Sequence, residues 1–539
     1  MTLPNDNLDG VPITATEAIP APPQASRARR QLLIQGITWS AAYQIFDVVL
    51  SFASMLVLVR LIPPGDYGRA AAVVGVLGLL NLLNAHLFFE HALQLPEHEE
   101  PDWQLHWTVG FYIQAALSLV CHAIAALCWF ASEYRPIAPL LHIAALGVLL
   151  EWPNQFRGAM LRRQLDLRRL RIVASMGMTA RLATTTALAL AGFGAYAIVI
   201  GNNVVPSAPF TLDLLVVQGW RPRSGWWRWP SWRAYEAAAT FGLQRASSNV
   251  IGGIRGAVES AVLPVPLGFA AMGLLNRAQA LYGTTLGRVG SVLVDVVYPF
   301  LPRESHNRAR YAVHATMYLQ VMMFIALPGA LFVGQNGPIL SRVLYGSKWV
   351  AMDPLIWPGA LIGLAGAALM VTTGILMAAG LIKTCVILEA VGAGVAVPAL
   401  IVASVTRSSV SYSWVLAAAE LVVALVAFER TSHLLQRGWW KTAVLPSLAA
   451  ALAGLAAVEL LRVQPISAKP LMQLVIVTAV FGGVALATVR ALFSSSLDGL
   501  LERLPAGEHV RRLLLLHAKR EPPPHAPPAG VPLEEPSDS

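Results

Sequence analysis

Fourteen apolar stretches recur along the 539 residues, at roughly 33–59, 68–89, 105–130, 137–156, 171–192, 195–218, 235–262, 268–298, 314–334, 355–379, 384–405, 411–428, 440–461 and 470–493. A helix needs about 20 mainly apolar residues to cross a bilayer, where no water can satisfy an open backbone. These runs are continuous and do not alternate over ten residues, which excludes a closed β-barrel. The expected fold is an all-α polytopic membrane protein with about 14 transmembrane helices. Only 13% of residues are charged and 56% are hydrophobic, whereas a soluble domain carries about 25% charge.

Lysine and arginine set the expected orientation. With the N-terminus inside, the cytoplasmic segments hold 26 of the 39 basic residues and the outside loops hold 8; five arginines remain within spans. Both termini are then cytoplasmic. The basic run RRQLDLRRLR (162–171) reads as a cytoplasmic loop beside anionic lipid, not as a nucleic-acid site. The acidic loop PEHEEPD (96–102) dissents, but acidic residues contribute little to orientation. No basic start followed by an apolar core opens the chain, so no cleavable signal is expected. Cys121, Cys128 and Cys385 lie inside apolar runs without CxxC spacing and read as small core residues.

The sharpest turn in the chain is VRLIPPGDYGRA (59–70), between spans one and two. Pro63-Pro64-Gly65 stops one helix before the next begins, and Arg60 and Arg69 can reach the headgroups. A looser counterpart, LPVPLGFAAMGLLNRA (263–278), joins spans seven and eight, six spans later. An even offset gives both halves one orientation, hence two parallel-related six-helix bundles plus two C-terminal helices. Chance recurrence of turn chemistry is the other reading. The expected organisation is a tail at 1–31, a bundle at 32–218, a basic loop at 219–234, a second bundle at 235–430, two extra helices at 431–493, and a cytoplasmic amphipathic and proline-rich tail at 494–539. Parallel repeats in transporters place a substrate route between the halves.

GITWSAAYQIFDVVLSFASMLVLVRLIPPGDYGRAAAV (36–73) resembles the opening of the polysaccharide transporter family, the Wzx-like oligosaccharide flippases of the multidrug/oligosaccharidyl-lipid/polysaccharide superfamily. MGLLNRAQAL (272–281), VVYPFLPR (296–303) and YGSKWVAMDPL (345–355) fit the same pattern in order. The chain departs at GFAAMG (268–273), which lacks a common tyrosine, and at PEHEEPD. The resemblance implies a bacterial inner-membrane flippase for polyprenyl-pyrophosphate-linked oligosaccharide, working by alternating access. It also implies a polysaccharide polymerase and a chain-length regulator as partners, with no nucleic acid. Alternatives are a lipid II or multidrug exporter of the same superfamily, or a membrane-embedded polymerase or glycosyltransferase. The latter would want a sizeable outside loop bearing catalytic acids, and no outside loop exceeds about twenty residues.

No phosphate loop, His-Glu-x-x-His motif or nucleophile with its base is present, so neither catalysis nor a cofactor is expected, save proton or sodium coupling. Charges inside spans are expensive and carry the functional expectation. The substrate-groove candidates are Arg181 on span five, Arg245 and Arg255 on span seven, and Arg277 and Arg288 on span eight. An arginine fork holds phosphate bidentately at any working pH. Glu259 can pair with Arg255 at i, i+4, and Asp295 shares a face with Arg277 and Arg288 beside Thr284 and Ser291. Asp47, one turn after Tyr43, is an ion-coupling site or a salt-bridge partner. The competing reading pairs these arginines with Asp47, Asp213, Glu259 and Asp295 to hold helices together. Glu389 and Glu420 read as structural, and His106, His122 and His142 as isolated polar contacts.

Overall fold

The computed structural model describes residues 23–96, 98–283, 301–304, 307–463 and 469–494, and every regular element among them is helical. The chain divides into two compact units, one ending at Ala261 and the other beginning at Val262.

The first unit contains α1 (Pro23–Leu61), α2 (Pro64–Asn81), α3 (Ala85–Gln94), α4 (Trp103–Phe130), α5 (Ala138–Arg163), α6 (Leu167–Leu190), α7 (Ala195–Asn203), α8 (Ser207–Leu212) and α9 (Trp232–Val262), with a π-turn over Asp213–Val217. Local chemistry sets the ends. Pro63 is extended, which stops α1, and Pro64 opens α2 at a position whose missing N–H costs nothing. Asp66 pairs with Arg69 one turn on, so part of the charge in this turn cancels locally. The Asn84 side chain accepts from His86 N at 3.1 Å and starts α3 at a 45° bend from α2. Asp102 and Asp166 cap α4 and α6 in the same way. Gly192 and Gly194, at φ +83° and +50°, reverse the chain between α6 and α7 in the left-handed region glycine tolerates.

Small residues let these helices approach closely, as in other membrane bundles. A Cβ on Gly201 of α7 would collide with the Thr185 hydroxyl of α6, and one on Gly75 of α2 would collide with Ser260 of α9. α9 belongs to this unit from Trp232 to Ala261. Tyr235 and Ala238 join Phe88, Trp107 and Phe156 in one core, and Tyr134 donates to Ala261 O at 2.9 Å. The segment expected to link two bundles, 219–234, therefore lies inside the first unit. Thr108 Oγ1 donates to Trp226 O at 2.7 Å, and Arg223 N to Gln104 Oε1 at 2.9 Å, which pins the segment on α4.

The second unit contains α10 (Pro264–Tyr282), α11 (Arg308–Leu344), α12 (Asp353–Ala378), α13 (Ile382–Gly394), α14 (Ala396–Thr406), α15 (Ser409–Thr431), α16 (Leu445–Val463) and α17 (Pro470–Leu492). α12 packs against both α11 and α15, and the α16–α17 hairpin lies on α11. Tyr318, Leu319 and Met322 meet Val371 and Ile375 in its core, where the Tyr311 hydroxyl donates to Ile375 O. Gly268, at φ +79°, breaks α10 at the turn expected there. The YGSKWVAMDPL stretch closes α11 onto α12. Gly346 takes φ +88°, Trp349 is fully buried, and Asp353 Oδ1 accepts from Ser341 Oγ at 2.8 Å.

Among the described residues, ten helices are long and apolar enough to cross a membrane, or up to twelve if two bent pairs each count as one span. The ten correspond to expected spans one, three, four, six and nine to fourteen. Span two is the bent α2–α3 pair, and the last turns of α9 count only in company with α10. α6 falls short because Arg168, Arg169, Arg171, Arg181 and a run of threonines dilute its apolar residues. Helices of spanning length with polar interiors belong against protein or water, not lipid.

Candidate functional site

Two helices of the first unit, α1 and α6, pack along each other and enclose a cleft of about 690 Å³. α6 begins where Leu165 turns the chain at φ +57° and Asp166 caps the new helix. Its first turns carry three arginines. On a 3.6-residue helix Arg168 and Arg171 share a face, and Arg169 points away from it. Arg168 lies over the ring of Trp39 at 5.4 Å, and Arg171 over Tyr43 at 5.0 Å. Trp39 and Tyr43 are one turn apart on α1, so two cation–π contacts follow each other up the helix pair.

Arg171 is half-buried and lines the cleft with Trp39, Tyr43, Phe46, Ser175 and Thr179. Its Nε donates to Ser40 Oγ at 3.2 Å, and its other nitrogens have no hydrogen-bond partner among the described residues. The Ser175 and Thr179 hydroxyls donate to carbonyls one turn earlier, at 2.8 and 2.9 Å. The cleft thus offers aromatic and aliphatic walls with one oriented guanidinium. Such a surface takes a molecule that joins an apolar chain to an anionic group.

Arg169 joins a buried ion cluster instead. Asp213 accepts from Arg157 Nε at 2.6 Å and from Arg169 Nε at 2.8 Å, and Arg157 is only 1% exposed. This ties α5 and α6 to the π-turn after α8. Asp213 is therefore committed to arginines of the basic 157–171 segment, not to the arginines expected in the groove.

The remaining candidates fall as follows. Arg181 shares a face of α6 with Gly177 and Thr185, which pack against Pro206 and Gly201. That face is opposite the α1 cleft, and Arg181 has no side-chain partner among the described residues. Arg255 Nε donates to Glu259 Oε1 at 3.0 Å, the i, i+4 pair expected on α9. Arg277 donates to Asn276 Oδ1 at 2.6 Å on α10. Asp47 accepts from Ser51 at 3.2 Å, one turn beyond Tyr43. The side chain of Arg245, and Thr284, Arg288, Ser291 and Asp295 entirely, lie outside the described residues, as do 1–22 and 495–539. Glu420 is buried on α15, and Glu389 is exposed on α13.

Sequence reasoning missed three relationships. Arg171 ends the basic run read as a cytoplasmic loop; its i+3 spacing from Arg168 is visible in the sequence, but the Trp39/Tyr43 pair that the two face is not. His122 and His142, expected to be isolated, hydrogen-bond to each other through their Nδ1 atoms at 2.8 Å across the α4–α5 hairpin. His106 is likewise not isolated: its Nδ1 bonds Asp102 O at 2.8 Å, and its ring packs on Phe88.

Comparison with known proteins sets this architecture in a family. The profile described as "Polysaccharide biosynthesis protein" matches residues 57–354, more than half of the chain. No curated protein sequence matches significantly. Among solved structures, the lipid II flippase MurJ in an inward closed conformation superposes with a TM-score of 0.67 at 13% identity, covering 85% of this chain and 99% of that one. An inward-facing multidrug resistance MATE family transporter of the MOP superfamily superposes at 0.52 with 16% identity, covering 72% and 95%. At these identities the likeness is one of fold. The chain belongs to the polysaccharide biosynthesis protein family and carries the fold of the multidrug/oligosaccharidyl-lipid/polysaccharide transporters.

Proposed function

We propose that the protein flips polyprenyl-pyrophosphate-linked oligosaccharide repeat units across the bacterial inner membrane by alternating access, for assembly of a surface polysaccharide. The observation that carries this reading is Arg171, a half-buried guanidinium held over Tyr43 in an otherwise apolar cleft. A lipid pyrophosphate presents the matching chemistry, oxygens for the fork and a hydrocarbon chain for the walls. Arg181, Arg245, Arg255, Arg277 and Arg288 are the further arginines that we assign to the anionic substrate. Asp47, one turn from Tyr43, is the group for proton or sodium coupling. Both termini face the cytoplasm, and a polymerase and chain-length regulator take the product outside.

A second reading, a lipid II-type substrate, is favoured by the superposition on a lipid II flippase. It shares the lipid pyrophosphate, so Arg171 keeps its role and only the sugar changes. Complementation separates the two. The gene should restore surface polysaccharide in a strain lacking its oligosaccharide flippase, and Arg171→Gln should not, at equal membrane abundance. Rescue of a lipid II flippase null alone would select the second reading, and rescue of neither would remove both.

A further inference from the structure

A second cleft, of about 460 Å³, lies in the first unit where the α2–α3 bend, α4 and the start of α9 come together. Leu87, Phe88, Ile113, Leu117 and Leu243 give it apolar walls. Its lining positions run from Val109 to Val120 on α4 and from Trp232 to Ala246 on α9. At 1.5 Å per residue these reach about 16 and 21 Å, enough to cover the ~15 Å hydrocarbon depth of one leaflet. At the start of α9 the wall becomes aromatic. Trp229 and Trp232 line the cleft there and are each more than half exposed.

Those tryptophans belong to GWRPRSGWWRWPSWR (219–233), which has five tryptophans, four arginines and no acid. Arg228 precedes Trp229, and Arg233 follows Trp232. Both arginines are exposed, and neither forms an ion pair among the described residues. Glu236 stands one turn along α9, exposed, and is not paired with Arg233. An apolar slot one leaflet deep, rimmed by tryptophan and capped by unpaired arginine, reproduces the order of groups in a lipid: chain, interface, phosphate.

We propose that this cleft is a binding site for an anionic diacyl phospholipid, with one acyl chain between α4 and α9 and its phosphate on Arg228 and Arg233. The site shares no residue with the substrate cleft. A lipid seated there would hold the 219–233 segment at the headgroup level, where a basic segment is attracted to anionic lipid. It would make the stability of the first unit depend on lipid composition.

The test is native mass spectrometry on the full-length protein in mild detergent, titrated with phosphatidylglycerol or phosphatidylcholine of equal chain length. The wild type should retain phosphatidylglycerol about tenfold better, the ratio that 1.4 kcal/mol of charge-assisted bonding supports. The double variant Arg228→Gln/Arg233→Gln alters exposed residues and should still bind both lipids, but without the preference. Ala116→Trp, at an exposed alanine that lines the cleft, should weaken both. Should that variant fail to fold, the arginine variant decides alone. Equal retention of the two lipids by the wild type, or a preference that survives loss of both arginines, overturns the proposal. So does displacement of phosphatidylglycerol by an equimolar polyprenyl phosphate, which would make the carrier lipid the occupant.

Discussion

The guanidinium of Arg171 lies over the ring of Tyr43, 5.0 Å from its centroid, and joins α6 to α1 across the cleft that we assign to the substrate. A half-buried cation–π contact of this kind contributes about 1–2 kcal/mol. Tyr43→Leu keeps the apolar wall but removes the ring's negative face. Transport should fall with little loss of folded protein, while Tyr43→Phe should retain most of it. Flippase complementation with parallel immunoblots of the membrane fraction reads both effects.

Asp213 has the opposite character. It sits between Arg157 and Arg169 and is nearly buried, so its loss leaves two arginine charges facing each other. Breaking a buried pair from one side costs about 3–5 kcal/mol. Asp213→Ala should lower the thermal midpoint in detergent strongly. The double variant Arg157→Met/Asp213→Ala should be less harmful than Asp213→Ala alone, because it removes the stranded buried charge as well. Additive losses in thermal unfolding would show that the cluster is not coupled.

Trp349 is the largest fully buried side chain among the described residues and closes α11 onto α12 behind Gly346. Trp349→Ala should cost about 3–5 kcal/mol through the cavity it leaves. Loss of monodisperse protein in size-exclusion chromatography is the expected result. Unchanged thermal stability would mean that this motif does not hold the second unit together.

Orientation is tested by reporter fusions. Fusions after Arg163, Arg223 and Arg308 should report cytoplasm, and those near Gly65, Tyr134 and Lys348 the outside. An outside signal at Arg223 would reverse the parity of the first six spans and move the 219–233 arginines away from the anionic leaflet.

The fold was legible in the sequence because the length of an apolar run is a one-dimensional property. Turn chemistry was legible for the same reason. Pro63-Pro64 and Gly268 each punctuate the chain at the turns expected there. The Arg255–Glu259 pair was legible because i, i+4 spacing fixes proximity on a helix. Contacts between distant helices were not. Nothing local tells Asp213 to choose Arg157, 56 residues away, or His122 to choose His142 across a hairpin. Arg171 was read as a loop charge because periodicity places a residue on a face without saying which helix that face meets. Apolar run length overstated one helix: α6, expected as span five, has the length of a span but not its composition, and its packing on α1, α7 and α8 accounts for that.

The most direct test of the account is flipping in proteoliposomes that hold the purified protein and a fluorescent polyprenyl-pyrophosphate oligosaccharide, with label left accessible to an external glycosidase as the readout. The wild type should move the lipid between leaflets. Arg171→Gln should slow this at least about tenfold, the factor that 1.4 kcal/mol of lost phosphate binding gives, and Arg171→Lys should fall between the two because it keeps charge but not the fork. Equal rates for wild type and Arg171→Gln, with both proteins folded and equally reconstituted, would contradict the assignment of the α1–α6 cleft to the lipid pyrophosphate.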